Sequence, residues 1–222
     1  MTLGRLFEQD APEALRDMPV QDLARDSRNV RPGSLFLAVA GTRGHGLDYL
    51  DGAVAAGAAI VVWEPEKGRA RPRLAAGISG FPVPGLGDRL GELAGRFFGD
   101  PATRMGVLGV TGTNGKTTVT WLLAGALECA GEACGLIGTL GCGRPDDLRP
   151  SGLTTPDVVE VQRTLAGLRN AGARWAAMEV SSHALDQRRV AGVRFRAAAF
   201  TNLSREHLDY HGTLQRSGDA QA

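Results

Sequence analysis

Gly106-Val107-Leu108-Gly109-Val110-Thr111-Gly112-Thr113-Asn114-Gly115-Lys116-Thr117-Thr118 is the stretch whose reading decides the fold. An apolar strand runs into a glycine-rich turn, and Lys-Thr-Thr then opens a helix. Glycines let backbone N–H groups curl around phosphate oxygens, and the helix N-terminus adds partial positive charge. In such a loop Lys116 reaches the β- and γ-phosphates and Thr117 holds Mg²⁺. The common spacing places a glycine at position 110, where this chain has Val110 and offers Gly112 instead. A plain glycine turn with a surface lysine is the competing reading, and the strand and helix on either side weigh against it.

A phosphate loop needs an acid at the end of a neighbouring strand to help hold the metal. The apolar run Trp175-Ala176-Ala177-Met178 ends in Glu179, which fits that requirement. An acidic strand terminus facing solvent is the alternative. Around the loop, helices are expected over 116–130 and 157–171, the second bounded by Pro156 and Gly172. Strands are expected over 105–110, 134–140, 175–180 and 197–201. Strands alternating with helices imply a parallel sheet covered on both faces.

Gly99-Asp100-Pro101 is a turn signal and the expected boundary between two domains, 1–100 and 101–222. In the first, strands are expected at 35–39 and 60–63 and helices at 48–56 and 88–98. Leu90, Leu93, Ala94 and Phe97 share one face of the latter helix. The segment 67–88, rich in Arg, Pro and Gly, reads as a loop. The fold class is therefore α/β: a small N-terminal α/β domain, then an incomplete P-loop parallel sheet.

The 222 residues carry 25 basic and 24 acidic side chains, a net +1. So even a balance gives no global electrostatic reason to seek nucleic acid or acidic lipid. With 43% hydrophobic and 22% charged residues, collagenous, disulfide-dense and disordered classes are excluded. The longest apolar stretch, Ala53–Trp63, is far too short to span a bilayer. No leader pattern stands at the N-terminus. Cys129, Cys134 and Cys142 form no C-x-x-C pair, so buried free thiols in a reducing cytoplasm are expected.

The histidines His45, His183, His207 and His211 all lie in polar contexts, where a structural role suits any single one best. His207 follows the strand at 197–201, and loops after strand C-termini line the ligand crevice of such sheets. It is thus a candidate metal or phosphate contact. Thr154-Thr155-Pro156 and Ser181-Ser182-His183 are hydroxyl-rich turns, the former a possible cap for the helix at 157. Gln187 and Arg189 follow the second, and arginine suits bidentate carboxylate or phosphate recognition. Asp26-Ser27-Arg28 and Gly41-Thr42-Arg43-Gly44-His45-Gly46 are polar loops flanking the strand at 35–39, and each alone is a weak signal.

Taken together these motifs resemble the Mur ligases of peptidoglycan synthesis, in particular those that add the third residue of the peptide. The resemblance rests on Asp26–Arg28, Thr111–Thr118, Thr154–Pro156, Met178–Arg189 and Asn202–Gly212, in collinear order over about residues 20–215. It implies a cytoplasmic, ATP-dependent ligase serving cell-wall biogenesis, cell shape and division, with Mg²⁺ as cofactor and a monomer as the expected state. It implies that Ser27 and the loop Thr42, Arg43 and Gly44 hold a UDP-sugar. Gly112, Thr113, Asn114, Gly115, Lys116, Thr117 and Thr118 would hold ATP. Thr154, Thr155, Ser181, Gln187 and Arg189 would contact the UDP-N-acetylmuramoyl-dipeptide. Thr117, Glu179 and His207 would serve the metal, with Lys116, Glu179 and His207 catalytic. An amino acid, diaminopimelate or lysine, is the implied co-substrate. Members of the family run on well past this length, and their carbamylated lysine falls here on Gln221. The chain is therefore expected to be a truncated form, inactive alone. A non-catalytic UDP-sugar- and nucleotide-binding fragment is the alternative. A folylpolyglutamate-synthase-like enzyme is a third reading, which residues 1–100 disfavour.

Overall fold

A computed structural model describes residues 1–42 and 44–204. They fall into two compact units, divided in sequence between Phe97 and Phe98. The first holds α1 (Leu3–Phe7), β1 (Asp22–Ala24), β2 (Ser34–Ala38), β3 (Ala40–Gly41), β4 (Gly44–His45), α2 (Leu50–Ala55), β5 (Ile60–Trp63), β6 (Ser79–Pro82) and α3 (Leu86–Phe98). β1, β2, β5 and β6 pair in that order and all run parallel, so their C-terminal ends share one side. β2 and β5 are buried on both faces, which is why their sequences are continuously apolar rather than alternating. Phe36 of β2 packs with Ala24, Ala53, Val61 and Trp63 at the centre of this core.

Two of the four strands depart from the sequence expectation. β1 is too short to show a period, and β6 lies inside the segment 67–88 expected to be loop. β6 forms because Gly80 lets the chain approach β5: a Cβ there would lie 2.3 Å from the carbonyl oxygen of Val61. Pro82 is tolerated because β6 is an edge strand. The helix expected from 48 divides into a 3₁₀ turn, Gly46–Tyr49, followed by α2.

The second unit holds β7 (Gly106–Thr111), α4 (Lys116–Cys129), β8 (Cys134–Gly138), β9 (Gly141–Arg144), β10 (Asp147–Arg149), α5 (Val158–Asn170), β11 (Trp175–Glu179), α6 (Ser182–Asp186) and β12 (Ala197–Phe200). Strand order is β10-β9-β8-β11-β7-β12. β8, β11, β7 and β12 are parallel, but β9 and β10 form an antiparallel hairpin at one edge, so the sheet is mixed rather than wholly parallel. Gly143, at φ +147°, makes that hairpin possible, since a Cβ there would meet the carbonyl oxygen of Asp147 at 2.2 Å.

The two sheet faces are covered by different helices. Val161, Leu165 and Leu168 of α5 pack on Val107, Ile137, Ala176 and Met178. Ala124 of α4 packs on Cys134, Leu136 and Ala177 from the other side. Adjacent residues Ile137 and Leu136, or Met178 and Ala177, thus face opposite helices, as the period of a strand requires. β12 pairs with β7 along one side and its residues Ala197–Phe200 are exposed.

The cysteines differ from the expectation of three buried thiols. Cys134 is buried, Cys142 is half-buried and Cys129 is exposed at the end of α4, all unpaired. Burial pushes the Cys134 thiol up to about 11, so it stays protonated and donates to the carbonyl oxygen of Gly135. Burial raises Cys142 as well. Reactivity follows the thiolate. Titration of the native protein at pH 8 with a chromogenic disulfide should therefore give one fast equivalent, lost in Cys129→Ser. Cys134 should react only after denaturation; fast modification of Cys134 in the native protein would contradict its placement.

Candidate active site

The turn from β7 into α4 is built by backbone constraints. Gly112 adopts φ +124° and Gly115, at the N-cap of α4, φ +86°, conformations that L side chains rarely adopt. The segment after β12 clamps the loop from outside. Thr113 N–H donates to the Asn202 carbonyl oxygen at 2.8 Å, and Asn114 N–H to Asn202 Oδ1 at 3.1 Å. Ser204 N–H donates to Thr113 Oγ1 at 2.8 Å, and Thr201 Oγ1 to the Asn114 carbonyl oxygen at 2.6 Å. Lys116 curls back, its Nζ donating to the carbonyl oxygens of Gly112 and Thr113 at 2.8 and 2.9 Å.

β11 is the neighbour of β7, and this register brings Glu179 to the start of α4. Thr117 Oγ1 donates to Glu179 Oε2 at 2.9 Å. Glu179 is 2% exposed, and no lysine, arginine or histidine forms an ion pair with it among the described residues. Instead Thr139 donates twice, from N–H to Oε1 at 2.8 Å and from Oγ1 to Oε2 at 3.2 Å. Gly138 opens the space, because a Cβ there would lie 2.2 Å from Oε1. The alternative reading, an acidic strand end facing solvent, is thus not what the fold provides.

The hydroxyl-rich turns meet at the same place. Thr154 Oγ1 lies 3.0 Å from Thr139 Oγ1. Thr155, fully buried, donates from Oγ1 to the Glu179 carbonyl oxygen at 2.9 Å and accepts from Ser181 N–H at 3.1 Å. Its side chain therefore joins two turns instead of lining an open cleft. The cap of α5 is Asp157, which accepts from Val159 and Glu160 N–H, leaving Thr154 and Thr155 free of that task. Ser181 caps α6 through Ala184 N–H. Arg189 donates to the Thr155 carbonyl oxygen at 2.8 Å and to Gln187 Oε1 at 2.7 Å. Thr117, Glu179, Thr139, Thr154, Thr155, Ser181, Gln187 and Arg189 thus form one connected cluster, with Lys116 beside Thr117 but bonded to the loop carbonyls instead. Thr118 lies one residue along α4. Thr139 joins this cluster and Thr201 and Asn202 hold the loop, positions to which the sequence reading assigned no role.

In the first unit, Ser27 opens a 3₁₀ turn just past β1, capped by Asp26, which accepts from Arg28 N–H. The Arg28 guanidinium beside Asp26 also holds that carboxyl below its usual range. Thr42 and Gly44 sit in the tight β3–β4 turn past β2, with Gly44 at φ +150°. Both loops lie at the C-terminal ends of parallel strands, where ligands bind in such sheets. His45 is structural: Nδ1 accepts from Leu47 N–H, and Nε2 donates to the Glu64 carbonyl oxygen at 3.1 Å. Arg43 and His207 lie outside the described residues, as does Gln221.

The chain is similar to known proteins along its whole length. The Mur ligase middle domain matches residues 110–222, and the Mur ligase family, catalytic domain, matches residues 20–98. The UDP-N-acetylmuramoyl-L-alanyl-D-glutamate–2,6-diaminopimelate ligase of Alkalilimnicola ehrlichii is 56% identical over 213 residues, 93% of this chain and 43% of that protein. The enzyme of the same name from Pseudomonas aeruginosa is 50% identical over 222 residues, 100% of this chain and 44% of that protein. A solved structure of a ligase so named has a TM-score of 0.79 at 29% identity, covering 100% of this chain and 44% of the other. The MurF ligase of Thermotoga maritima, solved with ADP, shares the fold at a TM-score of 0.56 and 23% identity, over 91% of this chain and 42% of that one. The chain therefore spans about 44% of the length of the curated relatives it matches. Sequence and fold agree in both units, and the chain belongs to the Mur ligase family.

Proposed function

We propose that this chain carries the UDP-sugar- and nucleotide-binding parts of an ATP-dependent ligase. That ligase adds the third amino acid to UDP-N-acetylmuramoyl-L-Ala-D-Glu. The observation that carries the reading is the hydrogen-bonded cluster joining Thr117, next to Lys116 in the glycine-rich loop, to Glu179 and from there, through Thr139 and Thr155, to Thr154, Ser181 and Arg189. The names of the relatives favour diaminopimelate over lysine as the incoming amino acid. No helix among the described residues is long and apolar enough to cross a membrane, which suits a cytoplasmic enzyme with water-soluble substrates. A monomer is the state this reading assumes.

Mg²⁺ fits the residues present. Glu179 and Thr117 offer hard oxygen donors at the loop, and the carboxylate is buried without a cationic partner among the described residues. No group of three or more His, Cys, Asp or Glu assembles there among the described residues, so the protein supplies few ligands and leaves the rest to phosphate and water. When bound, the ion would neutralise charge on the transferring phosphoryl group. The loop amides other than those of Thr113 and Asn114, which are given to Asn202, would hold the β- and γ-phosphates together with the Lys116 ammonium. The glutamate side-chain carboxylate of the dipeptide takes the γ-phosphoryl group, leaving ADP and an acyl phosphate. The amine of the third amino acid then attacks that carbonyl carbon, phosphate leaves and the amide forms. The protein's part is positioning and charge stabilisation. In the first unit Ser27, Thr42, Arg43 and Gly44 would take the UDP moiety.

Calorimetric titration of Mg·ATP tests the nucleotide assignment. Lys116→Ala should weaken binding by about 1.5–3 kcal/mol, the worth of a hydrogen bond from a charged group. Equal affinity of the two proteins would remove the phosphate-loop assignment.

A further inference from the structure

We propose that Thr139 is a positioning residue, which fixes the Glu179 carboxylate in the orientation the metal requires. The inference rests on reading Glu179 as the Mg²⁺ carboxylate. Both carboxylate oxygens accept from this one residue, Oε1 from its backbone N–H at 2.8 Å and Oε2 from its hydroxyl at 3.2 Å, while Thr117 Oγ1 reaches Oε2 alone, at 2.9 Å. The terminal torsion of glutamate is otherwise broad. Two donors from one rigid turn restrict it, because rotation of the carboxylate plane breaks both bonds together. The hydroxyl is itself steadied by Thr154 Oγ1 at 3.0 Å. Gly138 completes the notch, since no larger residue leaves room for Oε1.

Turn chemistry does not account for a threonine here. Gly138 pairs with Gly141, so Thr139 and Leu140 alone link β8 to β9. So short a link favours Asn, Asp or Gly. Thr139 is exposed, so core packing does not account for it either. What its hydroxyl does is reach back across the strand ends to β11. Partners that orient a metal ligand typically change metal affinity or activity about 10–100-fold when removed.

The test uses this chain with ATP, titrated at a series of free Mg²⁺ concentrations and again in excess chelator. Thr139→Val keeps the backbone donor and loses the hydroxyl. Thr139→Ala, which cannot crowd the notch, is carried in parallel. Thr139→Ser keeps both donors. Both hydroxyl-free variants should need about 10-fold more Mg²⁺ for half-saturation, with metal-free ATP affinity and thermal midpoint unchanged. Thr139→Ser should restore the wild-type value. A wild-type Mg²⁺ dependence in Thr139→Val and Thr139→Ala, while Glu179→Gln shifts it, would overturn the role of Thr139 alone. No shift in Glu179→Gln, or no Mg²⁺-dependent binding by the wild type, would overturn the metal reading and this inference with it.

Discussion

Exchanging Gly112 for alanine should destabilise the second unit by about 3–5 kcal/mol, the combined effect of backbone strain and lost hydrogen bonds. The backbone there sits at φ +124°, which a residue with a Cβ adopts only under strain of about 1–3 kcal/mol. The new methyl would also lie 2.1 Å from Thr201 Oγ1 and 2.8 Å from the Asn202 carbonyl oxygen. Those atoms belong to the clamp, so relief of the clash breaks it. The bonds at stake are Thr113 N–H to Asn202, Asn114 N–H to Asn202 Oδ1 and Ser204 N–H to Thr113. Each contributes about 0.5–1.5 kcal/mol net. Urea unfolding read by hydrogen exchange in peptides covering 106–118 measures the effect. A loss under about 1 kcal/mol would mean that the loop rebuilds without its clamp, contrary to the geometry.

Phe36→Ala should cost the first unit a similar amount, about 3–5 kcal/mol, by a different mechanism. Phe36 is fully buried in the central strand β2, between Ala24, Ala53, Val61 and Trp63. Two of these four neighbours are alanines, whose side chains cannot swing in to fill a hole. The cavity therefore persists, and cavity volume adds to the lost transfer free energy. Exchange protection of amides in 34–38 and 60–63 should fall accordingly. The loops at 26–28 and 42–46, carried at the ends of this sheet, should loosen together with it. Protection in 34–38 and 60–63 as in the parent protein would show that the core repacks, and that Phe36 is less central than its burial implies.

The sequence made some elements plain and hid others for identifiable reasons. β7, β8 and β11 announce themselves because strands covered by helices on both faces are long and uniformly apolar. The phosphate loop is legible because glycines at positive φ leave a signature. β9, Gly141-Cys142-Gly143-Arg144, carries no apolar alternation, since its glycines serve a close backbone approach and not a packed face. β6 is hidden by the Gly and Pro that let it dock. Within the site, Lys116, Thr117 and Glu179 follow from local pattern and strand ends. Thr139 does not, because its partner is 40 positions away and they meet only through the strand order β8-β11-β7. Asn202 escapes for the same reason, reaching the loop across the β7–β12 pair. Thr155 reads as part of a hydroxyl-rich turn or helix cap, and only the burial of that turn shows it joining β11 to Arg189.

The self-directed bonds of Lys116 bear on how fast and how favourably an anion can settle in the loop. A free lysine side chain gives up about 1.5–2 kcal/mol of rotamer entropy when it is immobilised. Here its ammonium already rests between the carbonyl oxygens of Gly112 and Thr113, so that loss belongs to folding. On the proposed reading of the loop, an arriving phosphate would meet a charge that is aimed beforehand and would exchange partners with it without having to order it. Such preorganisation lowers the entropic cost of association. Binding to this loop should then carry a smaller unfavourable entropy than binding to a surface lysine that must first be captured.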